Sequence, residues 1–281
     1  MEPQLEKIRE QQKETWNKFS PGWRKWDEFT MGFLKPMGDE IIAKLILEDS
    51  DNILDIAAGT GEPGLTIASM LRNGQVVITD LAEGMLEVAR DNAAKKGIIN
   101  YETVACDVCE LPFEDNIFDG VSCRFGFMFF PDMQLAIKEM VRVCKPGGII
   151  ASSVWGKPDK NFWITATMGI LNKNMQLPAP LPGAPGMFRC SEPGFIADLY
   201  KQAGLKNVIE KDIIGKVNYG SNDNYWNFMN DVVAPVVSAM SKASSEMKDN
   251  IKKEVFELIN YKYPDGKVSV DYGAIVVSGE K

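Results

Sequence analysis

The sequence predicts an α/β protein built on a doubly wound sheet with right-handed crossovers. Three observations predict it. Short apolar strands and amphipathic helices alternate five times between residues 52 and 155. The strands are nearly continuous apolar runs, as expected where a parallel sheet is covered on both faces. The first of them, "NILDIA", runs into a turn whose Gly59, Gly61 and Gly64 are spaced G-x-G-x-x-G.

Each element follows from its pattern. Residues 3–19 read as a mostly polar helix, and Trp16, Phe19, Trp23, Trp26 and Phe29 make the next stretch dense in aromatics. From Phe33 to Leu47, the apolar residues Leu34, Met37, Ile41, Ile42 and Leu45 keep helical spacing. After the first strand, Glu62 and Pro63 open a helix, since proline is tolerated in a first turn. "QVVITD" (75–80) is a second strand. Residues 83–96 form a helix with Met85, Leu86, Val88, Ala89 and Ala93 inward, stopped by Gly97. "YETVACD" (101–107) and "FDGVSCRF" (118–125) are the third and fourth strands. Over 132–145, Met133, Ala136, Ile137, Met140, Val141 and Cys144 draw one helical stripe. "KPGG" ends that helix and "IIASSVW" (149–155) is the fifth strand. Beyond it come the proline-rich "LPAPLPGAPG" within 157–190, a helix over 192–204 and a strand near 207–217. A helical insertion over 222–263 and a last strand over 268–279 complete the chain.

Composition removes several function classes. The net charge of -8 and pI of about 4.9 repel a phosphate backbone, and no basic run overrides them, so no nucleic-acid partner is expected. No run reaches the ~20 apolar residues of a membrane span. The first residues, "MEPQLEKIREQQKETW", are too polar for a signal peptide, so a cytoplasmic location is expected. Five scattered cysteines read as reduced thiols. The single C-x-x-C, Cys106 and Cys109, has no second pair and reads as one strand cysteine and one loop cysteine. The chain has no histidine, which excludes an imidazole base, a Ser-His-Asp triad and any His-ligated metal. No acid cluster has metal-ligand spacing either, and metal-independent chemistry is expected.

The glycine turn brings backbone N–H groups close to a ligand, and Asp80, ending the second strand, is placed for ribose hydroxyls. A dinucleotide and a single adenosine both satisfy that much. Asp55 is less neutral: four residues before Gly59, it would repel a pyrophosphate but suits a cationic ammonium group. Asp107, ending the third strand, can accept from an adenine amino group, and "CKPGGIIASSVW" sets a tight turn before the fifth strand. Together these stretches resemble the class I S-adenosylmethionine-dependent methyltransferases. "LDIAAGTGEPG" resembles the first motif of that family, "VVITDLAEGML" the second and "CDVCELPF" the third. "FDGVSCRFGFMFFPD" and "VRVCKPGG" resemble the fourth and fifth. The likeness covers residues 52–155 in order, and its wording is similar to the ubiquinone/menaquinone-type small-molecule methyltransferases.

That resemblance implies a seven-stranded, mostly parallel Rossmann-like sheet whose seventh strand is antiparallel, with a helical cap. It implies S-adenosyl-L-methionine as cofactor. Gly59, Thr60 and Gly61 would then line its methionine part, with Asp55 facing the amino group directly or through water. Asp80 would hold the ribose, Leu81 would pack on the adenine, and Asp107 with the Val108 amide would read the adenine edge. Arg124 and Phe125 would sit beside the sulfonium. Met85 joins this set, its alternative being plain helix core. Arg124 has the alternative of a buried ion pair, and Asp119 reads as structural. No general base is named by the sequence. Trp16, Trp23, Trp26, Phe29, the "FGFMFFPD" stretch, Trp163, Met168, Met175, Met187, Phe188, Trp226, Phe228 and Met229 suggest a capped apolar pocket. Arg124 and Arg189 are candidates for anchoring a carboxylate or phosphate. The expected organisation is a helical cap segment (1–50), a cofactor-binding α/β core (51–156) and a remainder (157–281) completing the same domain. The expected activity is methyl transfer to a small apolar or aromatic acceptor. Two alternatives stay open: an NAD(P)-dependent oxidoreductase, and a cofactor-binding protein without transfer activity.

Overall fold

A computed structural model describes residues 3–177 and 183–281. Its strands are β1 (Asn52–Ile56), β2 (Gln75–Asp80), β3 (Tyr101–Ala105), β4 (Phe118–Arg124), β5 (Cys144–Trp155), β6 (Lys206–Asn218) and β7 (Ser269–Glu280). They form one seven-stranded sheet in the order β3-β2-β1-β4-β5-β7-β6. Pairing is parallel from β3 through β5, and β7 runs antiparallel to both β5 and β6. The chain leaves β1 towards β2 on one side and returns to β4 on the other. The order therefore reverses at β1, and a crevice opens at the carboxyl ends of β1 and β4.

The helices are α1 (Pro3–Lys25), α2 (Asp27–Leu45), α3 (Gly64–Met70), α4 (Glu83–Lys96), α5 (Met133–Val143), α6 (Phe162–Met175), α7 (Phe195–Gln202), α8 (Asn222–Val232), α9 (Ala234–Met240) and α10 (Ser245–Lys262). Local signals set their ends. Asp132 accepts from the Leu135 amide at 2.9 Å and starts α5, whose buried stripe is Ala136, Ile137, Met140 and Val143. Gly97, at φ +67°, ends α4 by donating to the Ala94 carbonyl. The 222–263 insertion resolves into α8, α9 and α10 between β6 and β7.

Residues 1–50 divide between two layers. The stripe Phe33, Leu34, Met37, Ile41 and Leu45 of α2 is buried against β4, β5 and β7, so α2 belongs to the core. By contrast, α1 lies across α4 and α8. Helix α6 has no counterpart in the sequence reading; it packs on α10, α9 and β7. Residues 178–182 of the proline-rich stretch lie outside the described residues. Asp119 accepts from the Asn52 amide and from Lys145 Nζ, tying β4 to the start of β1. No helix of the described residues is long and apolar enough to cross a membrane.

Candidate functional site

The strand ends and the helices above them enclose one cavity at the crevice. Its floor is made by the turns after β1 (Ala57, Ala58, Gly59, Thr60), β2 (Asp80, Leu81) and β3 (Cys106, Asp107, Val108), and by the end of β4 (Arg124, Phe125, Gly126). Its roof comes from α1 (Gln12, Trp16, Trp23), α2 (Thr30, Phe33, Leu34), Phe228 of α8, Val233 between α8 and α9, and Ala234 and Pro235 at the start of α9. Nine of the eleven residues expected to bind the cofactor line it: Gly59, Thr60, Asp80, Leu81, Met85, Asp107, Val108, Arg124 and Phe125.

Two of the six non-glycine residues with positive φ among the described residues stand on this floor. Ala57 has φ +51° and Phe125 φ +62°, both in the left-handed region that non-glycine residues avoid. Such conformations cost ~1–3 kcal/mol each and persist where surrounding structure enforces them, most often at ligand sites. They close β1 and β4 side by side. Gly59, at φ +58°, has no atom within 4 Å of where a Cβ would stand, so its open face is turned to the cavity.

Asp55 and Gly61 sit behind the turn and do not line the cavity. Asp55 is wholly buried, and both its oxygens are engaged: Oδ2 accepts from the Gly64 amide at 2.7 Å and Oδ1 from Ser122 Oγ at 2.6 Å. A Cβ on Gly64 would stand 2.8 Å from Asp55 Oδ2, so glycine permits this brace. A Cβ on Gly61 would meet Leu65 Cδ1 at 2.7 Å, where helix α3 packs against the turn. Burial pushes the Asp55 carboxyl up to about 7, against the hydrogen bonds from Ser122 and Gly64.

Asp80 has a split role. Its Oδ2 accepts from the Gly59 amide at 3.0 Å and its Oδ1 from the Ala82 amide at 2.8 Å. Burial raises it to about 6. Asp107 Oδ1 accepts from the Cys109 amide at 2.8 Å. Its Oδ2 is buried without a hydrogen-bond partner; Arg9 Nη1 of α1 is 3.8 Å away. An orphaned carboxylate oxygen beside the Val108 backbone suits an amino-group donor with a ring acceptor next to it. Thr60 Oγ1, Thr30 Oγ1 and Trp23 Nε1 are also buried without partners. The residues present therefore fit an adenosine carrying an amino-acid arm.

The aromatic expectation divides likewise. Trp16, Trp23, Met128, Phe129, Phe130, Trp163, Met187 and Phe228 line the cavity, whereas Trp26, Phe29, Met168, Met175, Phe188, Trp226 and Met229 do not. Phe125 stacks on Trp155 at 4.2 Å between ring centroids, and Phe33 stacks on Trp155 at 5.7 Å. Arg189 is outside the cavity wall and donates to the Phe130 carbonyl at 2.5 Å, holding the loop after β4. Cys106 lines the cavity, but burial beside Asp107 and Asp80 pushes its thiol up to about 12. The sequence reading missed Thr30, Glu62 and Trp155 as wall residues. Only the proline at the start of α9, in Val-Val-Ala-Pro, hinted at the turn by which residues 232–235 reach the cavity. Among the described residues, no group of three Cys, Asp or Glu side chains could hold a metal.

Residues 53–148 match a methyltransferase domain family. The ubiquinone/menaquinone biosynthesis C-methyltransferase UbiE of Francisella tularensis subsp. novicida is 34% identical over 134 residues, covering 47% of this chain and 54% of that protein. The chain thus spans about half the length of the curated relatives it matches. The YcgJ protein of Bacillus subtilis superposes with a TM-score of 0.59 at 19% identity, covering 88% of this chain and 98% of that one. The [4+2]-cyclase SpnF superposes with a TM-score of 0.55 at 18% identity, covering 88% and 80%. The domain match over residues 53–148, the motif order and the sheet order are those of the class I S-adenosylmethionine-dependent methyltransferase superfamily. Within it, the likeness to the ubiquinone/menaquinone-type enzymes is confined to about half of each chain.

Proposed function

We propose that this protein transfers the methyl group of S-adenosyl-L-methionine to a small, largely apolar or aromatic acceptor. The carrying observation is the two-sided cavity, which joins the strand-end residues expected to bind an adenosine to a roof of tryptophan, phenylalanine and methionine. When bound, the cofactor supplies a methyl group already activated as a sulfonium. The chain then has to align an acceptor and keep water out. Asp80 accepts from the ribose hydroxyls, Asp107 Oδ2 from the adenine amino group, and the strained end of β4 sets Phe125 against Trp155. Apart from Asp80 and Asp107, assigned here to the cofactor, no wall residue among those described is a free base: Glu62 is held by Lys96 and Thr66, and burial holds the Cys106 thiol protonated. The acceptor must accordingly be nucleophilic once aligned and desolvated.

The family match stops at residue 148, while Trp16, Trp23, Thr30, Phe33, Trp155, Trp163, Met187 and Phe228 lie outside it. The domain match therefore supports the cofactor half and carries no argument about the part of the chamber built by these residues. The test is calorimetry with S-adenosylhomocysteine and NAD, then labelled methyl transfer to a panel of phenols, thiols, amines and quinols. Binding of the nucleoside thioether without NAD binding, plus transfer to at least one panel member, is expected. NAD binding with no response to S-adenosylhomocysteine would overturn the reading in favour of an oxidoreductase.

A further inference from the structure

Arg124 is a buried cation without a counter-ion. Its side chain is among the buried ones, at 9% exposure, and it lines the cavity. Among the described residues no carboxylate oxygen lies within the 4.0 Å of an ion pair. Among the described residues the guanidinium makes one hydrogen bond, from Nη2 to Met31 Sδ at 3.3 Å. The acids that feel its charge at longer range are Glu62, Asp55 and Asp27. Glu62 is held by Lys96 and Thr66, and Asp55 by Gly64 and Ser122. Asp27, whose Oδ1 is buried without a hydrogen-bond partner, is the one of the three not engaged elsewhere; it lies beyond ion-pair distance of Arg124 and does not line the cavity.

Helix α2 frames this guanidinium. Met31 supplies the sulfur contact, and Gly38, two turns on, leaves room so that a Cβ there would stand 3.9 Å from Nη1. The residue before Met31 is Thr30, 1% exposed, on the same cavity wall, with a hydroxyl lacking any partner. A buried charge without an ion partner is costly, and so is a buried hydroxyl without a hydrogen bond. Both groups can donate, and an oxygen anion would satisfy both. The need is sharper if the cavity also receives a sulfonium, because two cations in a low-dielectric space repel unless an anion neutralises one.

We propose that Arg124 and Thr30 form a carboxylate-binding site on the α2 wall of the cavity. In its fullest form this rests on the methyltransferase reading, because the carboxylate has two sources there: the amino-acid arm of the cofactor, or the acceptor. The guanidinium presents a planar fork of donors that matches a carboxylate.

Calorimetry on the parent protein, Arg124→Met, Arg124→Lys and Thr30→Val separates the outcomes. The ligands are S-adenosylhomocysteine, 5′-methylthioadenosine, which lacks the amino-acid arm, and phenylacetate titrated into the S-adenosylhomocysteine complex. If the cofactor supplies the carboxylate, Arg124→Met weakens S-adenosylhomocysteine by about tenfold or more and leaves 5′-methylthioadenosine unchanged. If the acceptor supplies it, both nucleosides bind the variant normally and phenylacetate binds the parent but not Arg124→Met. In either case Arg124→Lys and Thr30→Val show smaller losses for the same ligand. Ligand-free Arg124→Met melts at or above the parent temperature, since an unpaired buried charge has gone. Equal weakening of both nucleosides with a lowered melting temperature would make Arg124 structural and overturn the proposal. So would parent-like nucleoside binding with phenylacetate bound to neither protein. If neither nucleoside binds the parent, the cofactor reading fails, and phenylacetate binding to ligand-free parent against Arg124→Met decides the carboxylate site alone.

Discussion

Two aspartates, 25 residues apart in sequence, one half-buried at the cavity and one wholly buried behind it, predict different pH behaviour. Asp80 faces the cavity, and burial raises it from the ordinary 3.8 to about 6. Ribose hydroxyls donating to it would favour the ionised form, so binding would release a proton below pH ~6. Affinity for S-adenosylhomocysteine is then expected to be flat above pH ~6 and to fall as pH drops through it, by calorimetry in buffers of matched ionic strength. Asp80→Ala should cost ~2–3 kcal/mol of that affinity, for two charge-assisted hydrogen bonds. Asp55 faces inward, and its carboxyl is raised to about 7. Between pH ~4 and ~7 the folded ligand-free protein keeps a proton there that the unfolded chain has lost. That contribution to stability is fully present below the ordinary carboxylate value and disappears as pH rises through about 7. An amide at this position can accept from the Gly64 amide and donate to Ser122 Oγ, so Asp55→Asn should fold and flatten the melting temperature between pH 5 and 8. A variant with the parent's full pH dependence would assign that dependence to another group.

At the scale of elements, the reading from sequence was most faithful where one face of a segment is buried. The stripe over 132–145 became α5, and the apolar runs became β1, β2 and β4 within a residue or so of their expected limits. It was least faithful where proline or all-round burial blurs the period. Expected ends at 19 and 33 became α1 and α2, which run through Pro21 and Pro36 and meet at Trp26. In α6, buried Trp163, Ile164, Ala166, Thr167 and Leu171 share the helix with part-buried Phe162, Met168 and Ile170, and the charged and amide side chains are confined to its last turn, so apolar residues surround most of it and no clear stripe shows in sequence. The seam between α1 and α8 depends on contacts that no local pattern records. Gly22 lies so close to α8 that a Cβ would stand 1.9 Å from the Asp231 carbonyl oxygen. Lys25 Nζ and Trp26 Nε1 both donate to the Asp231 carboxylate beside it, at 2.7 and 2.8 Å. Gly22→Val should therefore push the helices apart and destabilise the protein by ~1–3 kcal/mol, as overpacking does. Chemical denaturation would measure it, and protease cleavage within α1 should quicken. Unchanged stability would mean that the seam adjusts freely.

Across the whole molecule, the strand-end side of the cavity, which we propose holds the cofactor, was legible because its residues follow strands at fixed offsets. Asp80, Asp107 and Arg124 each stand at a strand's carboxyl end, where topology brings them together whatever the rest of the chain does. The aromatic side, proposed to take the acceptor, was legible only as an excess of aromatics. Its walls come from α1, α2, α6 and α8, far apart in sequence, and only packing decides that Trp23 faces the cavity while Trp26 binds Asp231. That division suggests how the molecule can be taken apart. Helix α1 contributes Gln12, Trp16 and Trp23 to the roof and places Arg9 near Asp107. It is tied to the core at its flank, where Asn17 Oδ1 accepts from the Gly84 amide at 2.9 Å and Arg24 pairs with Asp91. Helix α2, by contrast, holds the sheet through Phe33, Met37 and Ile41. Removing residues 1–25 therefore strips the roof and spares the core, whereas a cut at residue 30 would already remove the first turn of α2. The shortened protein is expected to keep a cooperative melt and to bind S-adenosylhomocysteine, somewhat more weakly. Its methyl-transfer rate should fall by ~10²-fold or more, because water then reaches the acceptor and alignment is lost. Circular dichroism, calorimetry and single-turnover transfer on the same preparation separate the three quantities. Full-rate transfer by the shortened protein would move the acceptor site away from α1, and α2, α6 and α8 alone would have to exclude water.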